Sequence, residues 1–132
     1  MGRVKQKPML EMPRAPRMLV AEREVQKAFC DALKLRGWLF THHPDSRRML
    51  GTPGMPDVVA VNPKTGEILF VECKGLAGRL SDDQKVWAAA ILGSDAAAYA
   101  YVTPKNCEKM VDVILGCKQL SRVELARISE LG

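Results

Sequence analysis

The sequence predicts a mixed α/β domain, a small central sheet flanked by helices. Three observations lead there. Val25, Phe29 and Leu33 recur four residues apart with Ala28 and Ala32 beside them, an apolar stripe of helical period. Two apolar runs, PDVVAV (56–61) and EILFVECK (67–74), are joined by NPKTG, whose proline and glycine make turns. A third strong strand signal, AAAYAYVT (96–103), comes after a second helical segment and ends at Pro104.

The elements follow in chain order. Residues 1–17 carry Arg3, Lys5, Lys7, Arg14 and Arg17 against one acid, Glu11, with prolines at 8, 13 and 16. Nothing there is periodic, which predicts a basic flexible arm, either solvated or in contact with phosphates. Residues 18–132 are then expected to form a single domain. Its first helix covers about 18–36, and Gly37 is a natural stop. GWLFTHH (37–43) reads as a short strand, followed by a loop, PDSRRMLGTPG, that carries Arg47 and Arg48. The two runs around NPKTG predict an antiparallel hairpin. The second helix lies within LAGRLSDDQKVWAAAILG (76–93), where Ser81 and Gln84 have the spacing of a capping box. KNCEKMVDVILG (105–116) and SRVELARISELG (121–132) are read as the last two helices, the latter again with Ser and Glu three apart.

Composition narrows the function. The 132 residues suffice for one domain with a core of its own. A net charge of +5 favours an acidic partner. No apolar run approaches the roughly 18 residues needed to span a bilayer, and MGRVKQKPMLEMPRAPRM lacks the apolar centre of a signal peptide. A cytoplasmic protein is expected. The four cysteines, at 30, 73, 107 and 117, contain no CxxC pair, and the adjacent His42 and His43 do not complete one, so a structural zinc site is not expected.

The chemistry sits in the hairpin. Residues two apart in a strand share a face, so Glu72 and Lys74 project together while Val71 and Cys73 turn toward apolar packing. Asp57 opens the partner strand, fourteen residues intervening before Glu72. Two carboxylates held close repel unless a cation lies between them, and oxygen donors of this kind suit Mg2+ or Mn2+. Pro53 and Pro56 stiffen the approach to Asp57, and Gly51 and Gly54 let the backbone turn tightly. Charged residues that end a central apolar strand, here ILFV, need partners. Glu22 and Gln26 lie on the first helix's stripe, either as site residues or as its exposed start.

Pro56, Asp57, Glu72 and Lys74 resemble the signature of the PD-(D/E)xK nucleases. More narrowly, EREVQKAF (22–29), GTPGMPDVV (51–59), VECKG (71–75) and GRLSDDQKVW (78–87) are similar in kind and order to the VRR-NUC branch, over roughly residues 19–103. The resemblance implies a restriction-endonuclease-like core and a metal-dependent endonuclease acting on branched DNA such as Holliday junctions, working as a homodimer. It implies that Asp57, Glu72, the backbone carbonyl of Cys73 and Glu22 hold the metal, with Glu24 the alternative to Glu22. Lys74 would orient or activate the attacking water, Gln84 would face the site, and Gln26 would lie beside Glu22. Arg47, Arg48, Arg79 and Lys85 would line the DNA path, with His42 and His43 peripheral. A nuclease for flaps, ends or plain duplex, and a non-cleaving DNA-binding module, are the competing expectations.

Overall fold

A computed structural model describes residues 21–42, 50–116 and 119–130. In chain order its elements are α1 (Glu22–Leu35), β1 (Leu39–His42), β2 (Val58–Val61), β3 (Ile68–Cys73), α2 (Asp82–Leu92), β4 (Ala97–Val102), α3 (Cys107–Gly116) and α4 (Arg122–Ser129). The predicted arm lies outside the described residues.

The four strands form one sheet in the order β1-β2-β3-β4. The first three pair antiparallel, and β3 pairs β4 in parallel, which α2 makes possible by crossing between them. The hairpin forms as expected. Gly66 N–H donates to the Asn62 carbonyl at 2.7 Å, and Gly66 takes φ +77°, a conformation open to glycine without strain. Gly37, at φ +78°, ends α1 in the same way.

Two cores of unequal size lie on the two faces of the sheet. On one face Val25, Phe29 and Leu33 of α1 pack with Val58, Leu69, Val71 and Val102, and with Met110 and Ile114 of α3 and Leu125 of α4. Each such side chain contributes about 1.5–3 kcal/mol on burial. The other face is thinner, with Ala88 and Ile91 of α2 over Tyr99, flanked by Phe70, Trp87 and Tyr101. The central position expected for β3 is observed, with Leu69 and Val71 fully buried.

The edge of β4 is closed by α4. Tyr101 N–H donates to Ser129 Oγ at 2.9 Å, and Asn106 Nδ2 donates to the carbonyls of Tyr101 and Ile128 at 2.8 and 3.1 Å. One outward donor and one outward acceptor of the edge strand, both on Tyr101, are thereby satisfied. The predicted small mixed sheet with flanking helices is the observed architecture. Among the described residues, no helix is long and apolar enough to cross a membrane.

Candidate active site

Asp57 stands one step before β2. Val58 pairs with Val71, so continuing the register places Asp57 opposite Glu72. The loop that leads to it is fastened to α2. Trp87 Nε1 donates to the Pro53 carbonyl at 2.9 Å. Gly54 takes φ +100°, and a Cβ there would lie 2.5 Å from the backbone of Asp83. No other residue fits such an approach. Asp57 Oδ2 accepts the backbone N–H of Cys73 at 3.0 Å, which orients the carboxylate along the end of β3.

Glu72 is 1% exposed, an acid inside the sheet. Its Oε2 accepts from Gln84 Nε2 at 3.2 Å and lies 3.7 Å from Lys74 Nζ. Its Oε1 is buried with no hydrogen-bond partner among the described residues. Burial, then the charge of Asp57, push the Glu72 carboxyl up to about 9, against the pull of Lys74. In the absence of a cation, burial and the Asp57 charge therefore favour the protonated form of Glu72.

Lys74 and Glu72 share a face as the strand period requires, and the Lys74 side chain is only 16% exposed. Gly78 lets the following turn close over its stem, since a Cβ at Gly78 would come within 3.0 Å of the Lys74 Cβ. Gln84 serves both of the roles that its position offered. Its Oε1 accepts Ser81 N–H at 2.8 Å and its own N–H donates to Ser81 Oγ at 3.1 Å, while its amide nitrogen reaches Glu72. One amide thus caps α2 and touches the site.

The two acids at the start of α1 part company. The Glu24 carboxylate accepts the N–H of Ala21 at 3.2 Å. Glu22 is held above the usual carboxylate range by desolvation and by the charge of Asp57, and Lys74 opposes the shift. Glu22 is thus within electrostatic reach of the Asp57–Glu72 pair.

A hard divalent cation fits what is present. Mg2+ commonly keeps several waters and takes one or two carboxylates plus substrate phosphate oxygens. A buried carboxylate oxygen without a hydrogen-bond partner, on an acid within electrostatic reach of a second carboxylate, fits such an ion. Among the described residues no three His, Cys, Asp or Glu side chains converge enough to hold an ion by themselves. The geometry therefore suits two carboxylates completed by water and phosphate, and does not suit an all-protein cage.

The other predicted residues are less closely gathered. Gln26 is half-buried on α1, and Arg79 and Lys85 are exposed without an ion pair among the described residues. Arg47, Arg48 and His43 lie outside the described residues, and His42 is exposed at the end of edge strand β1. Sequence reasoning missed Tyr101, which pairs with Glu72 across β3 and β4 and whose hydroxyl is held above its ordinary range by burial and then by Glu72. The parallel partner of β3 was not readable from local pattern. It also missed the clamp of Trp87 on Pro53.

Residues 48–103, somewhat under half of the chain, match the family model for the VRR-NUC domain. A solved structure described as a VRR_NUC domain superposes with a TM-score of 0.54 at 23% identity, covering 69% of this chain and 94% of that one. No curated protein matches. The resemblance to the VRR-NUC branch is borne out, and with it a restriction-endonuclease-like fold. The matched domain is of nuclease type, with DNA as the implied partner.

Proposed function

From a VRR-NUC domain over residues 48–103 as premise, we propose that this chain is a Mg2+- or Mn2+-dependent endonuclease that hydrolyses phosphodiester bonds in branched DNA such as Holliday junctions. The observation that carries the reading is the buried Oε1 of Glu72, which has no hydrogen-bond partner among the described residues, on a carboxyl that the charge of Asp57 reaches. Asp57 and Glu72 would hold the ion, with the Cys73 carbonyl and Glu22 as further ligands. When bound, the ion supplies an activated water and offsets charge on the phosphate.

The chain's own residues do the rest. The Cys73 N–H fixes Asp57, and Gln84 fixes Glu72. Lys74, a point charge 3.7 Å from Glu72, faces the scissile phosphate and orients the water. Gln26, Arg79 and Lys85, together with Arg47 and Arg48, contact the DNA backbone. The setting we propose is the cytoplasm of a bacterial or phage-infected cell.

A two-fold junction needs paired cuts, and one acidic pair per chain makes one cut, so the reading includes a homodimer. The C-terminal apolar residues Met110, Ile114, Leu125 and Ile128 are used by the chain's own core. Val86 of α2, 63% exposed with Ala89 and Ala90 beside it, and Val123 of α4, 81% exposed, are apolar side chains left for an interface.

A panel of labelled junction, flap, duplex and single-stranded DNA, with Mg2+, Mn2+ or EDTA, tests the proposal. Metal-dependent cleavage led by the junction is expected. Cleavage confined to flaps, ends or plain duplex would transfer the function to those substrates. Binding without cleavage of any substrate would leave a DNA-binding module.

A further inference from the structure

The parallel pairing of β3 and β4 brings both strand ends to one margin of the sheet, with Glu72 opposite Tyr101 and Cys73 opposite Val102. Past β3 the chain presents Lys74, and past β4 it presents Thr103 and Lys105. Here a cavity of about 290 Å³ opens between the end of β4, the start of α3 and the end of α4. Lys105, Lys109 and Arg127 line it, with the hydroxyl residues Tyr101 and Thr103, against a single acid, Glu130.

The two lysines of this cleft are uncommitted, and its arginine is only weakly paired. Among the described residues neither Lys105 nor Lys109 pairs with an acid. Arg127 meets Glu124 at 3.6 Å with both side chains well exposed, a contact of roughly 0–1 kcal/mol that a phosphate can displace. A concave wall with a surplus of positive charge and hydroxyl groups has the chemistry of a phosphate site. It also lies beside the carboxylates. Tyr101 is a wall of the cleft and the register partner of Glu72, and adjacent strands are about 4.8 Å apart. Each DNA strand presents one phosphate per roughly 3.4 Å of helix axis, so a strand engaged at Glu72 carries further phosphates toward this cleft.

The geometry points to a second phosphate site: Lys105, Lys109 and Arg127 take a backbone phosphate of the cleaved strand that neighbours the scissile one. This rests on the nuclease reading and deepens it, since it assigns the direction in which the strand leaves the acidic pair, across β4 toward α3 and α4.

The test uses the full chain and the double substitution Lys105→Gln/Lys109→Gln, both positions exposed and outside the core. Binding of labelled duplex and junction DNA is measured with Ca2+ at several salt concentrations. The double variant is expected to melt like the parent, to bind about tenfold more weakly, and to lose about 0.9 from the salt slope for each phosphate contact removed. A single neutral methylphosphonate linkage, moved along the strand next to the scissile bond, should weaken the parent at one position and leave the variant indifferent there. Equal affinity and slope in both proteins would overturn the second site, as would a neutral linkage that costs both the same. A parent that binds no DNA at all would overturn the nuclease reading itself and this inference with it.

Discussion

Glu72 is an acid that the fold buries and then leaves one oxygen short, and that has a measurable consequence in the metal-free protein. Its carboxyl is raised from 4.5 to about 9 by desolvation and by Asp57. Between those two pH values the folded state holds a proton that the unfolded state has released, so stability falls as pH rises through that window. Thermal melts in EDTA across the window should show that fall, and Glu72→Gln should flatten it and raise the melting point at its alkaline end. Parallel profiles for parent and variant would contradict the placement of Glu72. Gln84 offers a second residue-scale test because its two ends do different work. Gln84→Ala should cost about 1 kcal/mol of stability from the lost cap and lower cleavage by about tenfold or more, the factor that 1.36 kcal/mol represents. Gln84→Glu keeps the acceptor for Ser81 but replaces the donor to Glu72, so activity should drop with less change in melting. A Gln84→Ala protein that melts lower yet cuts normally would reduce Gln84 to a helix cap.

At the scale of elements, the loop before β2 and the start of α2 form one unit. Gly51 and Gly54 both take φ +100°, but only Gly54 approaches a neighbour, the backbone of Asp83. Alanine at either position bears the strain of a left-handed backbone, roughly 1–3 kcal/mol. Gly54→Ala must in addition push α2, with Gln84, away from the loop that leads to Asp57. It should therefore lose more stability and more activity than Gly51→Ala, as read by melting and by initial cleavage rate. Equal losses would mean that the close contact does not matter. The same elements show what the sequence could and could not reveal. Asp57, Glu72 and Lys74 were legible because strand parity is local and the hairpin's turn is written in NPKTG. Gln84 was legible as a cap for the same reason. Glu22 could not be separated from Glu24 by sequence, because both open α1 and the choice depends on where that helix meets the sheet. Tyr101, Ser129 and the cleft beyond β4 depend on a parallel pairing and a helix docking that join distant segments, and no local pattern announces either.

For the molecule as a whole, the two faces of the sheet are unequally filled, and this decides where a second copy would sit. The face under α1 and α3 holds the large core, whereas α2 buries only Ala88 and Ile91 and leaves Val86 exposed. The dimer proposed above should appear in sedimentation equilibrium at micromolar concentration, and Val86→Glu on α2 should shift it to monomer without loss of secondary structure. A monomer that still makes both cuts in a junction within one encounter would contradict the paired-site account. The C-terminal margin of β3 and β4 carries Lys74 beside Glu72, with Lys105 a few residues past the end of β4. All of this presupposes that the acids hold a cation. The most direct test is a Mn2+ titration of the metal-free chain, followed by calorimetry, for the parent and for Glu72→Gln. The account predicts Mn2+ binding by the parent that is lost or weakened at least about tenfold, 1.4 kcal/mol, in the variant. Equal Mn2+ binding by both proteins, or none by the parent even with DNA present, would contradict it.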